Sequence, residues 1–167
     1  MRHSRHGLTL VETVLSTIVV SVLLSGALTA AVSSRSVLAA ADERALALQL
    51  ADELMQEILQ QAYVDPQTPT APPGPDAGET SRADFDDVDD YADWTSTPAT
   101  QRDGTLIPGG EHVTQRVSLI SMDKAALIPK AAMSTDFTVV RVEIVRNSKL
   151  LCRLDALRTD VRKGVGP

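Results

Sequence analysis

Six aspartates within ten residues form the densest group of reactive side chains in this chain. They are Asp84, Asp86, Asp87, Asp89, Asp90 and Asp93. Calcium takes oxygen ligands such as carboxylates, so this run is a candidate calcium site. The spacing is not that of an EF-hand, because no Asp-x-Asp-x-Asp-Gly run with a closing Glu is present. Two other interpretations stay open: a loop that docks a partner, and a solvated acidic loop held to its domain by Phe85, Tyr91 and Trp94.

A further acid, Glu12, lies inside the longest apolar run of the chain. The run extends from Leu8 to Val32, and Glu12 is its only formal charge. An isolated acid at the centre of a bilayer helix costs roughly 2.5–3.5 kcal/mol on insertion scales. Its position near one end of the run therefore predicts a partner of opposite charge.

The sequence offers little for catalysis. His3 and His6 lie in the basic stretch before the apolar run, and His112 is the only other histidine. There is no Gly-rich phosphate loop, no G-x-S-x-G and no Cys/His metal spacing. Paired carboxylates in the acidic run could in principle do acid–base work. We nevertheless expect a protein that is not an enzyme and has no cofactor apart from the candidate calcium.

The elements that position these groups begin with a long helix. No proline precedes Pro66, and Gly26 is the only glycine between Leu8 and Gly74, so the pattern predicts one helix over residues 8–62. Its first half is apolar on all sides, as a membrane span is. Its second half carries a single apolar stripe at i, i+3, i+7 and i+11, formed by Ala47, Leu50, Leu54 and Ile58.

The rest of the chain divides into a loop and a sheet. Prolines and glycines crowd residues 63–110, which predicts a long loop. Residues 113–120, 138–145 and 149–159 read as strands, with a turn at Asn147-Ser148. The fold class predicted is α+β, a long N-terminal helix packed on a small antiparallel sheet. The predicted segments are a leader, a transmembrane helix, an amphipathic helix, a Pro/Asp-rich loop and a sheet, at 1–7, 8–32, 33–62, 63–110 and 111–167.

The N-terminal residues Gly7-Leu8-Thr9-Leu10-Val11-Glu12, after a basic leader, resemble the prepilin signal of the type IV pilin family, which includes the pseudopilins of type II secretion. The resemblance implies cleavage by a prepilin peptidase between Gly7 and Leu8 and N-methylation of Leu8, where the family usually has Phe. It also implies that Glu12 is the residue that serves assembly. The long helix followed by strands looks like the pilin fold.

The resemblance also indicates partners and a place in the cell. It implies other pilin-like subunits, an inner-membrane assembly platform and membrane lipid as contacts. The stretch Ala45–Met55 resembles the helix of the minor pseudopilin I and of the PilV-like minor pilins. We therefore expect a minor pseudopilin of a type II secretion system. The alternatives are a minor pilin of a type IV pilus and a membrane-anchored protein that binds calcium or a partner.

The basic residues that precede the apolar run predict the orientation of the chain in the membrane. Arg2 and Arg5 precede the apolar run, which places the N-terminus in the cytoplasm and the C-terminal domain in the periplasm, with one span in the inner membrane. Loss of these two arginines would leave 14 basic against 22 acidic residues, a formal net charge of −8, which argues against a nucleic-acid partner. A plain membrane anchor and a secretory signal cleaved near Ala39-Ala40-Ala41 remain alternatives.

The one cysteine, Cys152, cannot form an internal disulfide. Its position in a strand-like run predicts a small buried apolar side chain rather than a reactive thiol.

Overall fold

The computed structural model describes residues 9–65, 72–122, 129–130 and 137–159. The cleavage position predicted between Gly7 and Leu8 therefore lies outside the described residues. The chain divides into two units, Met1–Asp42 and Glu43–Pro167. Helix α1, Leu10–Gln60, contributes its first part to the N-terminal unit and its second part to the C-terminal unit.

The N-terminal unit presents its apolar side chains to the outside. Leu10, Val11, Leu23 and Leu28 are 66–80% exposed, and no described residue of this unit is buried. α1 is long and apolar enough to cross a membrane; a signal sequence near an N-terminus would meet the same criterion. Among the described residues none buries this apolar surface, and such exposure is compatible with a helix that spans a membrane, because exposed apolar area is unfavourable in water.

In the C-terminal unit the apolar stripe of α1 is buried. The four positions predicted from the spacing, Ala47, Leu50, Leu54 and Ile58, are at most 2% exposed. Ala51 and Met55 join them, so the stripe follows i, i+3, i+4, i+7, i+8 and i+11 and is wide enough to cover a sheet. The helix ends at Gln60, where Gln61 N–H donates to the carbonyl of Ile58 in a tighter turn.

Five antiparallel strands form the sheet: β1 (Thr95–Ser96), β2 (Val113–Met122), β3 (Pro129–Lys130), β4 (Phe137–Arg146) and β5 (Lys149–Thr159). Their order is β1-β2-β4-β5, and β3 pairs with the end of β2. Asn147 and Ser148 both have positive φ, as a two-residue turn matched to strand twist requires. The inner residues of β2 and β4, among them Val117, Val140, Val142 and Ile144, pack with the α1 stripe in one core. The predicted α+β class is confirmed.

The described parts of the loop predicted over residues 63–110, namely 63–65 and 72–110, are more ordered than their composition indicates. They contain a 3₁₀ turn, Asp89–Tyr91, and strand β1. Val88 N–H donates to the carbonyl of Ala62, and Val117 N–H donates to that of Trp94. These bonds join the loop to the end of α1 and to β2, which satisfies its backbone groups without long strands.

Candidate functional site

Glu12 lies in the first turn of α1. The Thr9 hydroxyl accepts the Glu12 backbone N–H at 3.3 Å, and the Thr9 carbonyl accepts the Thr13 N–H at 3.1 Å. Thr9 is therefore the N-cap, and Thr9-x-x-Glu12 has the spacing of a capping box. The T-x-x-E spacing is present in the sequence and adds a local role for Glu12 to the charge partner predicted from the apolar run. The Glu12 side chain is exposed and makes no ion pair with any described residue.

Most hydroxyl side chains of the apolar segment hydrogen-bond to the backbone of their own helix. Five of them donate to carbonyls three or four residues earlier at 2.7–2.9 Å: Thr13, Thr17, Ser21, Ser25 and Thr29. Such back-bonding lowers the cost of placing a hydroxyl in lipid, because the polar group keeps a partner. These five hydroxyls therefore meet the hydrogen-bonding requirement of a bilayer helix.

The acidic run folds around its own backbone. Asp87 Oδ1 accepts the N–H groups of Asp89 and Asp90 at 2.8 and 3.2 Å, and Asp90 Oδ2 accepts those of Asp86 and Asp87 at 3.0 and 3.1 Å. Asp87 and Asp90 thereby cap each other across the 3₁₀ turn. Both are buried, 2% and 3% exposed. These two carboxylates serve the local fold, which explains why aspartate, with its short acceptor side chain, recurs here.

Two further acids approach this run. Carboxylate oxygens of Asp65, Asp86 and Asp87 lie within 4.8 Å of one another, and so do those of Glu79, Asp86 and Asp90. Asp65 and Glu79 were not among the candidates from sequence, since they lie outside the aspartate run. Within the described part of the chain, Asp84, Asp89 and Asp93 join neither group. Asp84 instead accepts hydrogen bonds from Ser81, which hold the pKa of its carboxyl below the usual range.

The electrostatics of this cluster favour neutral carboxyls. Burial raises the pKa of Asp87 to about 8, helped by a hydrogen bond to the Asp89 side chain and by the negative charges of Asp89 and Asp90. Burial also raises the pKa of Asp86, together with the negative charges of Asp65 and Asp90. Carboxylates crowded in this way would gain from a divalent cation, and the oxygen-only set is of the kind that calcium takes.

Aromatic side chains hold the acidic run to the domain, as one of the three interpretations of the sequence has it, but Asp87 and Asp90 are buried rather than solvated. Phe85 and Tyr91 are 4% and 0% exposed, and their rings meet edge to face at 5.0 Å. The Tyr91 ring also contacts the Trp94 ring. The Arg82 guanidinium lies over the Trp94 indole, with its Cζ 5.1 Å from the ring centroid. The Tyr91 hydroxyl donates to Glu57 of α1 at 2.7 Å. The acidic run is therefore a packed part of the C-terminal unit.

The raised pKa of Asp87 gives a pH-dependent stability. In the unfolded chain this carboxyl would titrate near its ordinary value of about 3.8, so folding favours its protonated form, and stability falls as pH rises from about 4 to 8. Asp87→Asn keeps an oxygen acceptor for Asp89 and Asp90 and cannot ionise. We expect its Tm at pH 8 to exceed that of the wild type by at least ~4 °C, the change that about 1 kcal/mol produces in a domain of this size.

The measurement is thermal unfolding from pH 4 to 9 in EDTA, followed by the fluorescence of Trp94, the only tryptophan. Asp93→Asn, at an exposed position, is the control and should keep the pH profile of the wild type. If the Tm of Asp87→Asn and the Tm of the wild type change with pH in parallel, Asp87 is ionised in the folded protein.

The chain matches no protein-family model, no curated protein and no solved structure.

Proposed function

We propose that this chain is a minor pseudopilin of a type II secretion system, assembled through its N-terminal helix into a periplasmic pseudopilus that supports protein export. The observation that supports it most is the form of α1. One continuous helix has an exposed apolar first part with a single carboxylate in its first turn, and a second part that packs on an antiparallel sheet. A subunit that leaves a membrane to join a filament of like helices needs these features together.

The proposed assembly step uses one charge pair. A prepilin peptidase cuts between Gly7 and Leu8, and the new α-amino group of Leu8 is positive and N-methylated. In low dielectric this amine and a carboxylate attract far more strongly than in water. Glu12 then pairs with the amine of its own or a neighbouring subunit, while the exposed apolar side chains of α1 exchange lipid for other helices.

The proposed location follows from charge and from the apolar segment. Arg2 and Arg5 hold the N-terminus in the cytoplasm, the first part of α1 spans the inner membrane, and the domain lies in the periplasm. The assembly platform and other pilin-like subunits are the expected contacts there. A minor pilin of a type IV pilus would share all these features, and co-purification with pilus rather than secretion subunits would favour it.

The direct test is the intact mass and N-terminal sequence of the protein from membranes, expressed with and without a prepilin peptidase. We expect a mature chain that begins with N-methylated Leu8 only when the peptidase is present. Gly7→Val, which alters the residue before the cut, is the control and should keep the leader. An uncut leader in the presence of the peptidase would indicate a plain anchor, and a start near Asp42 would indicate an ordinary secreted domain.

A second candidate function is calcium or partner binding by a membrane-anchored domain. The observation that favours calcium is the approach of Asp65, Asp86 and Asp87, with Glu79 and Asp90 beside them. Thermal unfolding in calcium chloride and in EDTA tests the calcium site. A higher Tm in calcium supports a cation site, and equal Tm values contradict it.

A further inference from the structure

The C-terminal unit contains a cavity of about 350 Å³ between the second part of α1 and residues 100–107. Leu50, Leu54 and Ile107 form its apolar wall. Glu53 and Arg102 also line it and are exposed, so a ligand can enter from solvent. This volume lies at the lower end of the range for small-molecule sites, and it is too large for one or two waters. The cavity therefore has room for a small ligand or a side chain of a partner.

Gln115 of β2 is a buried polar side chain in this lining. It is 2% exposed, and its Oε1 accepts the Thr100 N–H at 2.9 Å, which leaves the Nε2 group as the other arm of the amide. Among the described residues none accepts a hydrogen bond from Nε2. A buried donor without an acceptor is unfavourable, and nearly all such groups in folded proteins have a partner. Gln115 therefore requires an acceptor that comes from within the cavity.

The charges around the cavity balance one another. Two arginines, Arg82 and Arg102, and two glutamates, Glu53 and Glu57, line it. Arg82 and Glu57 neutralise each other in an ion pair with contacts of 3.0 and 3.1 Å. The remaining pair of opposite charges, Glu53 and Arg102, lies at the exposed rim. Such a lining favours a neutral polar ligand, because a charged one would meet a like charge as well as an opposite one.

The polar groups of the lining include donors and an acceptor. The Gln115 amide can donate, and so can Arg102, which gives one bond of 2.6 Å to the carbonyl of Phe85 and has N–H groups to spare. The Glu53 carboxylate accepts an N–H of Gln49 at 2.8 Å and has further lone pairs. A primary carboxamide is neutral and carries a carbonyl oxygen beside an N–H2 group, so it complements this set.

We propose that this cavity binds a primary carboxamide, carried either by a free amide such as glutamine or by an Asn or Gln side chain on a peptide segment of a partner. The carboxamide oxygen accepts from Gln115 Nε2, its N–H2 group donates to Glu53, and its methylene groups contact the apolar wall. The site goes beyond the function proposed above and does not rest on it, because the lining belongs to the C-terminal unit alone.

Titration of the full chain in detergent micelles tests this site, with the side-chain N–H2 signals of Gln115 followed by proton–nitrogen NMR. The probes are acetyl-glutamine-N-methylamide, its methionine and glutamate analogues, and free L-glutamine. We expect saturable shifts with the blocked glutamine at a Kd on the order of 1 mM. The methionine and glutamate analogues should bind about tenfold more weakly or less, because they leave Gln115 or Glu53 without its complement.

The two sources of the carboxamide are separated by the same titration. Binding of the blocked glutamine alone identifies a side chain on a peptide, because this probe has the amide groups of a continuing chain on both sides. Tighter binding of free L-glutamine identifies a free amide, because its ammonium and carboxylate groups are then accommodated as well.

Glu53→Lys and Asp52→Lys form a matched pair of variants. Both acids are exposed on α1 and accept a glutamine amide of the same helix, at 2.8 and 2.7 Å, but of the two Glu53 lines the cavity and Asp52 does not. We expect Glu53→Lys to raise the Kd of the blocked glutamine about tenfold or more, and Asp52→Lys to leave it unchanged. Gln115→Glu keeps an acceptor for Thr100, removes the N–H2 group and should abolish binding.

Binding to the Gln115→Glu variant is followed by the backbone signal of Gln101, which lines the cavity. Glu53→Lys keeps the proposal testable if Gln115→Glu fails to fold. Gln115 signals that no probe shifts would show that the cavity holds only water, and would overturn the proposal. Equal Kd values for the glutamine and methionine derivatives would also overturn it, as would equal effects of Glu53→Lys and Asp52→Lys.

Discussion

Glu12→Ala is expected to leave the chain in the membrane and to remove it from the filament. Membrane insertion depends on the apolar side chains of α1, and the substitution removes the only formal charge of that segment. Removing one partner of a buried pair costs roughly 3–5 kcal/mol, because the remaining charge stays without compensation. We expect incorporation to fall about a hundredfold or more, since each 1.4 kcal/mol corresponds to a factor of ten.

Glu12→Gln is the decisive control for this prediction. Thr9 and Glu12 have the spacing of a capping box, and glutamine serves at the third helical position as well as glutamate. If Glu12 only caps the helix, Glu12→Gln behaves as the wild type. If its charge pairs with the new amine, Glu12→Gln fails like Glu12→Ala. The measurement is the amount of subunit in sheared filaments or in cross-linked subunit complexes, relative to its amount in the membrane fraction. Normal incorporation of either variant would contradict the charge-pair mechanism.

The second large effect is expected at Arg82, which ties the acidic loop to α1. Its Nε lies 3.0 Å from Glu57 Oε1, and its Nη2 donates to Oε2 at 3.1 Å. Arg82 and Glu57 are 8% and 14% exposed. Arg82→Ala would leave the Glu57 carboxylate in a desolvated position with Tyr91 as its remaining donor. We expect a loss of about 3–5 kcal/mol in the free energy of unfolding, with a fall in Tm of roughly 12 °C or more.

Two variants separate the buried charge from other effects of the substitution. Arg116→Ala removes an exposed arginine, 3.9 Å from Glu143, and should cost less than about 1 kcal/mol. Glu57→Gln added to Arg82→Ala removes the uncompensated charge while keeping an acceptor for Tyr91, so it should recover part of the loss. Trp94 fluorescence follows unfolding close to the altered residue, because Arg82 lies over the indole. A loss for Arg82→Ala no larger than that for Arg116→Ala would show that the pair contributes little.

The local residue pattern was enough to predict the helix, the strands and the turn of this fold from the sequence alone. The stripe of α1 and the alternation in β4 follow from the repeat of each element, and Asn147-Ser148 follows from the residues that a tight turn accepts. Phe85 and Tyr91 could be foreseen as anchors because large apolar side chains gain most from burial. Each of these inferences uses residues that are near one another in the chain.

Tertiary structure alone decided which distant residues meet. Glu57 contacts Arg82 and Tyr91 across sequence separations of 25 and 34 residues, and nothing in the local pattern pairs them. The approach of Asp65 to Asp86 depends on the bridge between Ala62 and Asp87, which forms only when the loop returns to the end of α1. The place of β5 at the edge of the sheet is likewise a matter of strand order. Side-chain periodicity specifies which face of an element is buried, whereas the neighbour it is buried against is chosen by the packing of the whole chain.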